Sequence, residues 1–395
     1  MVKPRTLPIF GQHDSKTIQQ IEQAASHPRA VGAALMADGH LGYGMPIGGV
    51  VAYDNAVSPE GVGFDIGCGN KAVRTDRKFS EWAHDVPVEE AIDRIFDEVA
   101  FGIGQASDRF GDHPIFDDPR FDLPFAKKLK DSARKQLGSV GSGNHYVDLL
   151  VDGSDWLWVG VHFGSRGLGH KLASKFMTDG DMMKPVTVLD LGTPKGQDYW
   201  EYMGLAGAYA HAGRDCVVSQ VLGIIDCLPT LEVHNHHNFA WKEHHEGVGD
   251  VVVVRKGATP AFHLQQGFVG GSMGDDAVIL NGVASDETED IQRASFYSTV
   301  HGAGRVMSRT EAKGRFNRKT KEMKTPGRIT PDMMRAWLAE KGVVLRGADL
   351  DEAPQAYRRL RDVLAAQGQT ISVTETLRPV AVAMAGRGDW DPYKD

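Results

Sequence analysis

The sequence predicts an α+β protein folded as one integrated domain, with mixed β-sheets packed among helices and a functional site built from many loops. Three observations carry this. Apolar segments of strand length alternate with glycine-rich breaks at 31–75 and again from 137 onward. Helical patterns fill the intervals between them. Chemically suggestive side chains are spread from Asp38 to His301, so no cut would leave a site intact. The domain is taken as 1–395, with a polar tail at about 387–395. A chain of 395 residues, 41% apolar and 24% charged, can bury a large core and has the composition of an ordinary globular protein.

Read in order, residues 1–30 form a short strand and an amphipathic helix from Ser15, its N-cap, to about Ala25. The segments VGAAL, DGHLGYGMPIGG, VVAY and GVGFDIGCG fill 31–75. Residues 80–136 read as helical, with a polar interruption (SDRFGDHPIFDDPRFD) expected to be an exposed loop. Strands and loops follow in VGSGNHYVDLLV, WLWVGVHFGSRG and VVVVRKGA. Between them, 198–228 is a long helix whose apolar faces predict a buried element. The chain is basic after Gly304, helical at 331–341 and 354–367, and ends on the strand LRPVAVAMAG.

Composition excludes several classes. No run of about 18 apolar residues exists to span a membrane, and the amino terminus lacks an apolar segment behind a basic one, so no secretory signal is read. Three cysteines cannot build a disulfide framework and suit a reducing cytoplasm. Cys216 and Cys227 lie in apolar stretches and read as packing, whereas Cys68 sits among glycines beside a carboxylate. A net charge of −8 argues against a non-specific coat for nucleic acid but allows a local basic patch. The 46 glycines cluster beside His, Asp, Asn and Arg, where a backbone must turn sharply close to a ligand.

The chemistry is carried by five blocks. GVGFDIGCG offers Asp65 and Cys68, GSGNHY offers Asn144 and His145, and VHFGSRGLG offers His162 and Arg166. EVHNHHNFAWKEHH holds five histidines, of which His237 precedes Asn238, and HGAGR offers His301 and Arg305. A carboxylate, a thiolate and several imidazoles suit zinc, manganese, iron or cobalt, although neither CxxC nor HExxH occurs. His145, His162 and His301 each sit in a Gly/Ser/Asn/Arg loop after or between apolar strands, a placement that repeats three times. His13, His27, His84, His113, His170, His211, His244, His245 and His263 read instead as packing or surface residues.

Phosphate signals run in parallel. GSRGLG, RKGA and HGAGR place an arginine beside small residues, where backbone N–H groups and a guanidinium can cradle phosphate oxygens, and no P-loop is present. From Arg305 to Arg328 nine Lys/Arg face two Glu. Arg305, Arg309, Lys313, Arg315, Arg318 and Lys319 are candidates for a positive apron that would bind a polyanion in a salt-dependent way.

The motifs DGHLGYGMPIGGV, SPEGVGFDIGCG, GSGNHYVD, HFGSRGLG, HHNFA, RKGA, GSMG, HGAGR and DEAPQAY occur in this order over roughly Asp38 to Gly386. Together they resemble the RtcB-type RNA ligases. The resemblance implies a single RtcB-like domain that joins RNA 3′-phosphate or 2′,3′-cyclic phosphate ends to 5′-hydroxyl ends, in repair or tRNA splicing, with GTP and two Mn²⁺ ions. Carried over by position, Cys68 would bridge the ions, with His145 and His162 completing one and Asp65 and His237 the other. His301 would accept GMP as a phosphoramidate, with Asp38 fixing its tautomer and Arg166 assisting catalysis. The nucleotide would lie against Asn144, Asp148, Asn238, Gly271, Ser272, Met273, Gly302, Ala303, Gly304 and Tyr357. Four positions depart from the family pattern: Asp148 stands for a glutamate, Gly270 for a proline, Ala277 for a serine and Ala385 for a lysine. As carried over they all fall in the base pocket, so relaxed base choice is expected. Two other readings are a divergent paralogue that caps or repairs damaged 3′-phosphate ends, and a catalytically silent metal-binding RNA-binding protein.

Overall fold

Two β-sheets meet at a single connecting residue, and the site grows from that junction. The structure is a computed structural model that describes residues 7–177, 183–316 and 323–386. The larger sheet runs in the order Pro229–His236, Gly69–Lys78, Trp156–Phe163, Tyr146–Asp152, Ile371–Met384, Ala277–Gly282, Gln266–Val269. Its ladders are antiparallel, except that Val344–Arg346 joins Ile371–Met384 in parallel. The smaller sheet is antiparallel throughout, in the order Ala30–His40, Ile47–Tyr53, Gly249–Lys256, Asn238–His245. One strand of the larger sheet ends at His236 and one of the smaller begins at Asn238, so His237 alone links them.

The helix Pro194–Ile224 packs against both halves of the core. Tyr199, Met203, Leu205 and Tyr209 sit in the cluster that includes Leu35, Val51 and Val254 of the smaller sheet. Val217, Val221 and Ile224 sit in the cluster under Val73, Val159 and Val161 of the larger one. The helix is buried over most of its surface, as its apolar sequence requires, and one stripe through Gln197, Glu201, His211 and Ser219 stays exposed. It begins a turn earlier than the sequence reading, because Pro194 occupies the first position and the Thr193 side chain accepts from the Gly196 N–H.

Other boundaries shift for local reasons. The N-cap of Ser15–Ala25 is Asp14, not Ser15; its carboxylate accepts from the N–H groups of Lys16 and Thr17 and suits the positive end of the helix dipole. No strand forms between residue 7 and that helix, where only a bridge between Ile9 and Leu35 occurs. The last strand starts at Ile371, six residues before LRPVAVAMAG. Residues 354–367 divide into a short 3₁₀ turn at Pro354–Ala356 and the helix Leu360–Gln367. The tail 387–395 lies outside the described residues. Among the described residues no helix is long and apolar enough to cross a membrane.

The polar interruption is an irregular loop with exposed Asp108, Arg109 and Asp112 only over its first half, 107–113; the second half is not an exposed loop. That half folds into two 3₁₀ turns, Pro114–Asp117 and Pro119–Asp122, that bury Phe116 and Phe121 in the core against the long helix. The aromatic residues outweigh the surrounding carboxylates because Asp118 is spent on capping: it accepts from the Arg120 backbone and pairs with the Arg120 side chain. Phe121→Ala is therefore expected to cost about 3–5 kcal/mol, whereas an exposed loop residue would cost roughly 0.5 kcal/mol or less. Urea unfolding of the two proteins checks this.

Candidate active site

Strand register brings the predicted ligands to one edge. In the larger sheet Gly69 faces both Phe163 and His236, Asn70 faces His162, and Tyr146 faces His162 from the other side. Cys68, His145, His162 and His237 therefore emerge together where the sheet ends. Asp65 joins them through a β-turn closed by the Cys68 N–H to the Asp65 carbonyl, 3.0 Å. Gly67 at its third position has φ +71°, and a Cβ there would come within 3.1 Å of the Gly207 Cα in the long helix. Glycine is required on both counts.

The five predicted ligand residues fall into two overlapping groups that share the sulfur, but with different partners from those expected: Asp65 goes with His145 and Cys68, and His237 with His162 and Cys68. Cys68 Sγ lies 3.8 Å from His145 Nε2 and 3.7 Å from His162 Nε2, and His145 Nε2 lies 3.1 Å from Asp65 Oδ2. Ligands about 2.0–2.3 Å from a tetrahedral ion stand roughly 3.3–3.8 Å apart, so the two sulfur–imidazole spacings fit divalent cations, while the 3.1 Å approach of His145 to Asp65 would open slightly around one. The chemistry fits as well. Nδ1 of His237 is buried with no hydrogen-bond partner. Burial holds His162 and His237 well below the usual imidazole range, leaving them neutral. Burial would raise Asp65, but hydrogen bonding and charge from His145 bring it down to about 2. Burial and the Asp65 charge push the Cys68 thiol well up, so a cation would have to displace its proton. Cys216 and Cys227 are buried thiols pushed up to about 12 and about 11 by burial, and they act as packing.

A further group, His211, Asp215 and His234, does not share this geometry. Its two rings stack face to face at 3.6 Å with only a 26° tilt, and the Lys71 ammonium already sits 2.6 Å from Asp215.

His301 follows the short strand Ser298–Val300, which pairs with Ala258–Pro260. Its ring lies 4.8 Å from that of His237. Nδ1 is 2.7 Å from Oδ2 of Asp38, a close ion-pair approach whose alignment falls short of a hydrogen bond. The same oxygen accepts from the backbone N–H groups of His301 and Gly302. Asp38 is fully buried; desolvation would raise its pKa, but the His301 charge and hydrogen bonds lower it, so it stays ionised. With Nδ1 turned to a carboxylate, Nε2 is left as the free lone pair.

Asn144, Asp148, Asn238, Gly271, Ser272 and Met273 all line the same cleft, as do Gly302, Ala303, Gly304 and Tyr357. Asn238 is partly committed, since its Oδ1 accepts from the Gly257 N–H at 2.7 Å. Of the four departures, Gly270 and Asp148 line the cleft; Ala277 and Ala385 are buried and do not. Burial pushes Asp148 well above the usual carboxylate range.

The cations are arranged differently from the sequence reading. Arg166 does not line the cleft; it donates to the Gly102 carbonyl and to Ser139 Oγ. The arginine of RKGA, Arg255, is fully buried and pairs with Glu243, and it is Lys256 that lines the cleft. Arg305 and Arg309 line the cleft but pair with Glu352 and, for Arg309, Asp351, while Lys313 pairs with Asp349 and Asp351. These three are therefore largely neutralised and do not form the expected apron. Arg315 is exposed, and Arg318 and Lys319 lie outside the described residues.

Two residues escaped the sequence reading. Asn70 Oδ1 lies 2.6 Å from His162 Nδ1. Arg214, fully buried in the long helix, donates through Nη1 to the carbonyls of Gly67 and Phe163. A single arginine inside an apolar helix was the available signal.

Burial lowers His40 to about 4, and burial with the Arg214 charge lowers His236 to about 3, both from an ordinary 6.5. The unfolded chain then binds more protons than the folded one between those values and 6.5. Metal-free stability should be complete above pH 6.5 and decline as pH falls below it. Denaturant midpoints at pH 5 and 7.5 measure this, and His236→Asn should shrink the difference.

The family model described as tRNA-splicing ligase RtcB matches residues 20–115 and 121–385. The RNA-splicing ligase RtcB of Escherichia coli K12 is 32% identical over 385 residues, covering 88% of each chain. The tRNA-splicing ligase RtcB of Archaeoglobus fulgidus is 30% identical over 461 residues, covering 94% of this chain and 91% of that one. Its namesake from Thermococcus kodakarensis is 28% identical, covering 93% and 91%. The chain belongs to the RtcB family.

Proposed function

We propose that this protein joins RNA ends, sealing a 3′-phosphate or 2′,3′-cyclic phosphate to a 5′-hydroxyl through a nucleotide carried on His301. The observation that carries the reading is the pairing of His301 Nδ1 with buried Asp38 beside a shared carboxylate–thiol–imidazole cluster. Asp38 retains the Nδ1 proton and favours the cation that forms as Nε2 attacks the α-phosphorus of GTP, with pyrophosphate leaving. The RNA 3′-phosphate then displaces His301 from phosphorus, breaking the P–N bond and leaving a diphosphate-capped end. The 5′-hydroxyl attacks the RNA phosphorus, loses its proton and expels GMP; a cyclic phosphate is opened by water first. Two Mn²⁺ ions held by Asp65, Cys68, His145, His162 and His237 would supply positive charge against the phosphate oxygens. Gly302, Ala303 and Gly304 line the same cleft, where the nucleotide phosphates would lie, with the Gly302 N–H already given to Asp38.

Incubation with Mn²⁺ and each α-labelled NTP should give an acid-labile protein adduct, strongest with GTP, with weaker transfer from other NTPs because Asp148 and Gly270 replace the family residues at the cleft wall. His301→Ala should abolish the adduct, and Asp38→Asn should slow its formation on the order of 10²-fold. Absence of any adduct with all four nucleotides would overturn the reading. With adduct in hand, strands ending in 3′-phosphate and 5′-hydroxyl should be joined, and those ending in 3′-hydroxyl and 5′-phosphate should not; excess EDTA should stop joining. Accumulation of the capped 3′ end without joining would assign a capping activity instead.

A further inference from the structure

We propose that Asn70 is a positioning residue that sets the ring tautomer of His162 and ties that ring to the backbone at His301. The inference rests on the metal-centre reading above. Asn70 and His162 are directly opposite in neighbouring strands, so their side chains share one face of the sheet. Asn70 is 1% exposed, and its amide can be oriented from its neighbours alone. Nδ2 lies 2.9 Å from the carbonyl oxygen of Phe268 and 3.4 Å from that of His301; both only accept, so the amide nitrogen must face them. Oδ1 then faces His162 Nδ1 at 2.6 Å and can only accept, which places the ring proton on Nδ1. The Nε2 lone pair is left pointing at the cleft. There it meets Cys68 Sγ at 3.7 Å and Asn144 Nδ2 at 3.4 Å, both able to donate, so the assignment is consistent from either side of the ring. One amide thus presents a ligand atom and braces the carbonyl of the residue proposed to carry the nucleotide.

The test compares the wild-type chain with Asn70→Leu and Asn70→Asp. In metal-free protein labelled with ¹⁵N-histidine, His162 should be the Nδ1–H tautomer in the wild type and Asn70→Asp, and should lose that preference in Asn70→Leu. Titration with Co²⁺, followed by its thiolate absorption, should show affinity reduced about 10–100-fold in Asn70→Leu and nearly retained in Asn70→Asp, which keeps the acceptor. Asn70→Asp should still nucleotidylate His301 at least tenfold more slowly, because a carboxylate cannot donate to the two carbonyls. Wild-type tautomer and affinity in Asn70→Leu would overturn the proposal. So would an Asn70→Asp variant whose affinity is lost, and this arm decides if Asn70→Leu does not fold. If the wild-type chain itself binds no Co²⁺, the metal-centre reading fails, and the tautomer measurement still tests Asn70.

Discussion

A buried guanidinium holds the ligand loops in place. Arg214 lies in the middle of the long helix with no exposed surface, and its Nη1 donates to the carbonyls of Gly67 and Phe163 at 2.9 and 2.6 Å. The first carbonyl precedes Cys68 and the second follows His162, so one side chain fixes the spacing of two ligand-bearing segments. Nε donates to His234 at 2.8 Å, which occupies another of its donors. Burial lowers its pKa to about 10, a fall limited by the ionisable Cys68 and by Asp65 and Asp215 nearby, so it is cationic at neutral pH. An isolated buried charge would cost several kcal/mol, which only hydrogen bonds and nearby anions can offset. The pairing is mutual: the Asp65 carboxylate has a counter-charge from the scaffold, the Cys68 sulfur gains the same one once its proton is displaced, and the loops stand in position before any cation arrives.

The same economy appears in the junction of the sheets. His237 is the only residue between two strands that belong to different sheets, and its N–H donates to the Cys68 carbonyl at 2.8 Å. The chain must turn between sheets at the point where a ligand is needed, so fold and site share one constraint. A slip of one residue in the pairing of Pro229–His236 with Gly69–Lys78 would reverse every side chain on that strand and misalign its exit from Cys68.

This explains what the sequence could and could not disclose. Asp65, Cys68 and His145 were legible because each lies in a short glycine-marked turn, and His162 because such a turn follows its strand at once; His237, in a histidine-rich stretch without glycine, was singled out by the family resemblance. The long buried helix was legible from its uniform apolarity. Asn70 was not, since its meaning depends on facing His162 across a ladder 92 residues away in the chain. Phe116 and Phe121 were obscured because the acidic residues around them dominate the local pattern, while their burial is decided by the long helix. The basic run was misread for the same reason. Its partners, Asp349, Asp351 and Glu352, lie about 40 residues downstream, with Asp351 and Glu352 almost completely buried.

Those ion pairs redistribute the electrostatics of the cleft. Arg305 gives Nη1 to Glu352 and to the Tyr357 hydroxyl, and Nη2 to the Asp351 carbonyl, so its donors are directed into the protein. Arg309 and Lys313 face the same buried carboxylates. Lys256 is likewise occupied by the carbonyls of Tyr43 and Glu60. Among the described cations at the cleft, each is therefore partnered by the fold, and the whole chain carries a net charge of −8. A site for triphosphate and RNA cannot draw its attraction from such arginines alone, since a paired guanidinium contributes little field beyond its partner. On the proposed reading the missing positive charge belongs to the cations of the carboxylate–thiol–imidazole cluster, beside His301, where anionic groups must approach one another for phosphoryl chemistry to proceed.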